Sequence, residues 1–118
     1  MTVEHRPHPF EIQVDHRDQL TVVRVQGEVD AATAPRMGEA LSRLQAKKRD
    51  LVLDLQDVDF MDLHGLAVLM RATRKARSDG GSFRIARPAD CVKRLVQLVH
   101  AERELPFIPD GGGPLDAA

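Results

Sequence analysis

The chain has 118 residues, and its 17 lysine and arginine residues against 18 aspartate and glutamate residues give a formal net charge of -1. This length suits one compact domain. The balanced charge excludes the large field of one sign that draws a protein to nucleic acid or to a membrane surface, so we expect a protein partner.

Cysteine content and apolar runs bear on location. Cys91 is the one cysteine, which excludes an internal disulfide and fits a reducing compartment. No apolar run approaches the ~20 residues of a membrane span. The first ten residues lack the apolar stretch of a secretory signal. We therefore expect a cytoplasmic protein with no membrane partner.

The first half of the chain predicts two strands and a helix. Strands are expected at 10–14 (FEIQV) and 20–27 (LTVVRVQG), joined by a connection short enough for an antiparallel hairpin. A helix should follow, with Thr33 as its N-cap and Pro35 in its first turn. The basic residues 47–49 suit the negative C-terminal end of that helix.

The second half of the chain alternates strands with helices. A strand is predicted at 51–55, with apolar residues again at 58–61, and a helix follows from near His64 to the Gly-Gly turn at 80–81. Next come a strand at 82–87 and a helix from about Ala89. A possible last strand lies at 105–108.

This order predicts the α/β class. Strands that alternate with helices imply a mostly parallel sheet with right-handed crossovers, to which the hairpin adds an N-terminal antiparallel strand. Three helices would cover one face of the sheet, and the order of elements leaves open whether anything covers the other. A single domain is expected over residues 10–108, with flexible segments at 1–9 and 109–118 that are rich in proline or glycine.

Several short motifs occur in a fixed order. They are GEVD at 27–30, the apolar strand LVLDL, an Asp-x-x-Gly corner at 62–65, a Gly-Gly turn and the final helical segment DCVKRLVQLV. In this arrangement the chain resembles the STAS domain of bacterial anti-sigma factor antagonists. The resemblance implies a protein that binds an anti-sigma factor, often an ATP-dependent serine kinase, and displaces the sigma factor that it holds.

The corner departs from the family pattern, which usually reads Asp-Ser-Ser-Gly. In the family, the kinase phosphorylates the first of these serines and so switches binding off. Here Leu63 occupies that position and His64 replaces the second serine, while Asp62 and Gly65 match. The resemblance thus implies a partner-binding corner without the usual phosphoacceptor.

One further residue, Asp30 of GEVD, matches an aspartate that family members use in kinase recognition. The resemblance therefore adds Asp30 to the partner-binding set. Without the resemblance, a purely structural role for Asp30 is the alternative, because the positive end of the helix dipole favours acidic side chains before a helix.

Each corner residue also has a simpler interpretation. Leu63 could pack into the core of the domain, and Asp62 could act as a helix N-cap, a role compatible with an interface. His64 could be an ordinary surface residue at a helix start.

Other classes of function receive less support. A ligand-sensing, scaffold or transporter-accessory STAS module is the main alternative. An enzyme would need a nucleophile beside a general base, and no such pair is evident. No metal site, cofactor or small-molecule substrate is indicated, and the basic run within residues 71–77 lacks the interleaved aromatic side chains of a nucleic-acid surface.

Overall fold

A computed structural model describes residues 8–109 of the chain. Its regular elements are β1 (Glu11–Arg17), β2 (Leu20–Val29), α1 (Ala34–Gln45), β3 (Asp50–Met61), α2 (Leu63–Asp79), β4 (Phe83–Ala86) and α3 (Asp90–Leu98).

The four strands form one mixed sheet in the order β1-β2-β3-β4. β1 pairs antiparallel with β2, whereas the β2–β3 and β3–β4 pairs are parallel. The predicted α/β class and the N-terminal antiparallel strand are therefore confirmed. Each right-handed crossover moves one strand in the same direction, so all three helices fall on one face of the sheet.

The core lies between that face and the helices. Val23, Leu53 and Ile85 are cross-strand neighbours with no exposed surface, and they belong to the same apolar cluster as the buried residues of α1, α2 and α3. Successive strand residues point to opposite faces, so Val22, Val52 and Arg84 lie on the other face. No helix within residues 8–109 contributes a buried residue to that second face.

The predicted last strand is reduced to a single bridge. Phe107 bridges Ile85 in parallel, with hydrogen bonds from the Ile85 N–H to the Pro106 carbonyl (2.9 Å) and from the Ile108 N–H to the Ile85 carbonyl (2.8 Å). Pro106 has no N–H to donate to β4, so the ladder cannot extend before Phe107.

Gly27, the first residue of GEVD, holds the N-terminal segment close to the sheet. It has a φ of +91°, and a Cβ there would lie 2.8 Å from the Phe10 Cα. Close by, the Pro9 carbonyl accepts a hydrogen bond from Gln26 Nε2 (3.1 Å). Residues 8 and 9 of the segment predicted to be flexible thus make ordered contacts, while residues 1–7 and 110–118 of the two predicted flexible segments lie outside the described residues.

Candidate functional site

The candidate site lies where β2 and β3 end side by side. Val29 pairs with Met61 in the parallel register, and the Asp62 N–H donates to the Val29 carbonyl at 3.2 Å. Asp30 and Asp62 directly follow this pair. The fold therefore brings together at one edge of the sheet two carboxylates that are 32 positions apart in the sequence.

Asp62 is the N-cap of α2, as its position before a helical pattern predicts. Its backbone is extended, and its Oδ1 accepts a hydrogen bond from the His64 backbone N–H at 2.8 Å. The His64 Nδ1 lies 3.2 Å from the same oxygen. The carboxylate thus satisfies a free N–H of the first helical turn, a contribution of about 1 kcal/mol at typical caps.

The same contacts set the charge of the Asp62 carboxyl group. Partial desolvation acts to raise its pKa, but the hydrogen bonds from the His64 backbone and imidazole and from the Gly65 N–H outweigh it and lower the pKa below the ordinary 3.8. Asp62 is consequently an anion at neutral pH. The positive end of the helix favours that charge.

Leu63 is the first residue of α2, and its side chain faces solvent. It is 61% exposed, so the alternative that it packs into the core is wrong. The His64 side chain is 62% exposed and projects from the next position. An exposed leucine beside an imidazole leaves apolar surface at the edge that holds Asp30 and Asp62, and such surface favours association.

Gly65 lies beneath these two side chains and is buried. A Cβ at this position would come within 2.7 Å of the Met61 Cγ and 2.8 Å of the Val29 Cγ1. The glycine lets the first turn of α2 sit directly on the ends of β2 and β3. The buried glycine thereby places Leu63 and His64 at the surface.

Asp30 closes the loop between β2 and α1. Its Oδ1 accepts hydrogen bonds from the backbone N–H groups of Ala32 (3.0 Å) and Thr33 (3.1 Å). Thr33 occupies the N-cap position of α1, but its hydroxyl bonds back to the loop, donating to the Glu28 carbonyl at 2.6 Å. The capping bond predicted for Thr33 is therefore absent, and the Asp30 carboxylate binds the loop N–H groups.

Phe60 is a site residue that the sequence patterns did not indicate. It pairs with Glu28 and is 46% exposed. Strict alternation would place Phe60 on the same face as the buried Val58. A register shift between β2 and β3 instead puts Val58 and Met61 into the core and leaves Phe60 outside.

Carboxylates surround this apolar surface. Glu28, Asp30 and Asp62 lie at the sheet edge, and Asp59 is bonded to the backbone N–H and imidazole of His8. The guanidinium of Arg36 stacks 4.8 Å from the centroid of the Phe10 ring. The site is thus apolar at its centre and acidic around it.

Comparison with known proteins agrees with this architecture. A profile of the STAS domain matches residues 11–111, nearly the whole of the described chain. The chain belongs to the STAS domain family.

Relatives of this STAS domain are named as anti-sigma factor antagonists. The anti-sigma-B factor antagonist of Listeria monocytogenes is 34% identical over 89 residues, covering 74% of this chain and 78% of that protein. The anti-sigma-B factor antagonist of Bacillus subtilis is 29% identical over 87 residues, covering 74% and 80%. An anti-sigma factor antagonist from Mycobacterium paratuberculosis superposes with a TM-score of 0.77 at 27% identity, covering 87% and 88%.

The Cys91 thiol of this STAS domain is not a reactive thiolate. Cys91 is partly buried, and its thiol donates weakly to the Val58 carbonyl at 3.5 Å. Burial raises the pKa of this thiol, so it stays protonated. Within residues 8–109, no group of three metal-ligating side chains comes together, and no helix is long and apolar enough to cross a membrane.

Proposed function

We propose that this STAS domain is an anti-sigma factor antagonist that binds an anti-sigma factor through its corner and so releases the sigma factor. The corner residues are Asp62, Leu63 and His64, held in place by Gly65, with Asp30 beside them. The observation that carries the proposal is the exposure of Leu63, 61% of whose surface faces solvent at the start of α2.

The chemistry of the corner favours a protein partner. Leu63 and Phe60 are separated by two residues, so their Cα atoms lie at most about 11 Å apart. Both are exposed and can be buried together. Protein interfaces typically have an apolar centre and a polar rim. The carboxylates around these two side chains would steer a partner with a basic rim toward the corner.

We infer further that the partner is of the ATP-dependent serine kinase type and that it cannot inactivate this antagonist in the usual way. A phosphate on the first turn of α2 would bring a charge of about -1.5 to -2 into surface that must be desolvated on binding. Leu63 has no hydroxyl to accept it. The antagonist is then controlled by its abundance, acts in the cytoplasm, and performs no catalysis of its own.

The test begins with affinity capture from a lysate of the source bacterium. The captured protein is identified by mass spectrometry, purified as a complex with its sigma factor, and mixed with this chain. Wild-type protein should release the sigma factor on a sizing column, whereas Leu63→Glu should not. Capture of a transporter ATPase, or capture of an anti-sigma factor without release of sigma, would contradict the proposal.

A further inference from the structure

The face of the sheet opposite the helices holds an arginine cluster around one buried carboxylate. Arg24, Asp54 and Ala86 are cross-strand neighbours on β2, β3 and β4. Arg84 precedes Ala86 by two residues on the same face, and Arg87 follows β4 directly. The cluster lies on the face to which no helix of residues 8–109 contributes a buried residue, and the candidate site does not use it.

Asp54 is already fully engaged by its neighbours. It is 3% exposed, and its Oδ2 accepts a hydrogen bond from Arg87 Nη2 at 2.6 Å and lies 3.4 Å from Arg24 Nε. Its Oδ1 accepts from the Gln56 backbone N–H at 3.0 Å. One carboxylate thus serves two guanidinium groups, whose side chains are each 40% exposed.

Arg84 adds a third guanidinium group without a carboxylate. Its Nε is buried and has no hydrogen-bond partner within residues 8–109. Asp54 is a diagonal neighbour of Arg84 across the parallel β3–β4 pair, yet among the described residues no ion pair joins them. Asp50 lies diagonally on the other side and is likewise unpaired with Arg84 among the described residues. A buried donor without an acceptor is unfavourable and is normally satisfied by water or a ligand.

The backbone holds this cluster at some cost. Arg87 has a φ of +48°, a left-handed conformation that is uncommon for residues with a side chain. In this conformation its guanidinium reaches back to Asp54. Backbone strain of this kind is often retained where it positions functional groups.

We propose that Arg84, together with Arg24 and Arg87, binds a phosphate group on the face of the sheet opposite the helices. Guanidinium groups present planar pairs of N–H donors that match two oxygens of a phosphate, and they remain charged at all physiological pH values. Three arginines against Asp54 leave an excess of two positive charges, and Asp50 reduces it to one. The bound phosphate provides the acceptor that Arg84 Nε lacks.

The test is a titration of the ¹⁵N-labelled full chain with inorganic phosphate, followed through the arginine Nε–Hε signals at constant ionic strength. The Arg84 signal should shift and saturate with phosphate and should not respond to chloride. A parallel titration with adenosine monophosphate separates a free ion from a phosphate ester: saturation by both shows that the site takes esters, and saturation by phosphate alone restricts it to the ion.

Two variants and a control complete the experiment. Binding by the Arg84 variants is followed through the Nε–Hε signals of Arg24 and Arg87, which the wild-type chain also shows. Arg84→Gln should weaken binding by about tenfold or more, and Arg84→Lys, which keeps the charge but lacks the Nε–H donor, should weaken it as well. Arg74→Gln removes an exposed arginine from α2 on the covered side and should bind as wild type. Shifts that stay linear in phosphate, that chloride reproduces, or that persist unchanged in both Arg84 variants would overturn the proposal.

Discussion

Replacing Leu63 by glutamate should separate the stability of the domain from its binding to the anti-sigma factor. Leu63 is exposed at the first position of α2, so the substitution removes little packing in the free protein. A carboxylate in the first helical turn is favoured by the dipole by about 0.3–1 kcal/mol. The melting temperature should therefore change little.

The expected loss of binding follows from the exposed fraction. Full burial of a leucine side chain contributes about 1.5–3 kcal/mol. With 61% of the residue available to a partner, Leu63→Ala should lose about 1–2 kcal/mol, a factor of about 5–30 in affinity. Leu63→Glu should lose more, because the carboxylate must also be desolvated in the complex.

Calorimetric titration against the purified anti-sigma factor measures the affinities, and circular dichroism measures the melting temperatures. Leu98→Glu is the matched control, because Leu98 is 78% exposed at the far end of α3. Equal losses from both glutamate variants would show that charge anywhere on the surface weakens binding. Unchanged binding by Leu63→Glu, or a melting temperature lower by tens of degrees, would refute the assignment of Leu63 to the interface.

Four further predictions concern the residues around Leu63. Incubation with the cognate kinase and labelled ATP should leave the native chain unlabelled, whereas Leu63→Ser should gain label at residue 63; label elsewhere on the native chain would contradict constitutive action. Asp30→Ala and Asp30→Asn should both weaken binding, but only the alanine variant should lower the melting temperature, because asparagine still accepts the loop hydrogen bonds at Oδ1. Gly65→Ala should destabilise the fold by about 1–3 kcal/mol. The control Gly38→Ala, whose Cβ would meet Val68 at an ordinary 3.5 Å, should be neutral or stabilising. Equal melting temperatures for the two variants would show that the Met61 and Val29 side chains move aside at little cost. The lowered pKa of Asp62 stabilises the folded state above pH 3.8, and this stabilisation is lost as the pH falls through the pKa of the folded state. The melting temperature of wild type relative to Asp62→Asn should therefore fall only below about pH 4. A difference in melting temperature that does not change with pH would argue against the lowered pKa.

The sequence was sufficient for the order of elements because each depends on local signals. The five-residue connection after the first strand is too short for a crossover, so an antiparallel pair was expected, and β1 and β2 form one. The Gly-Gly turn predicted the end of α2, and Gly80 adopts a left-handed φ of +70° there. The Asp62 cap followed from its place between a strand and a helical pattern.

The features that the sequence could not predict depend on pairing between segments that are distant in the chain. The exposure of Phe60 depends on a register shift between β2 and β3, and alternation within one strand carries no information about it. The last strand depended on the pairing of Ile85 with the distant Phe107, and within residues 8–109 a single bridge forms there. The sequence likewise did not show that arginines line the face opposite the helices, because in the sequence they look like ordinary solvated residues.

The corner separates residues that the fold requires from residues that it does not. Asp62 caps α2, Gly65 admits the first turn of that helix against Val29, and Asp30 closes the loop before α1. Each of these matches to the family pattern has a structural reason, so their retention does not by itself imply a phosphorylation switch. Leu63 and His64 support no buried packing, and the free domain tolerates many side chains at such positions. Under the proposed function, the exposed Leu63 contacts the partner, and this is why the Leu63 substitutions test the function more directly than changes at Asp62 or Gly65.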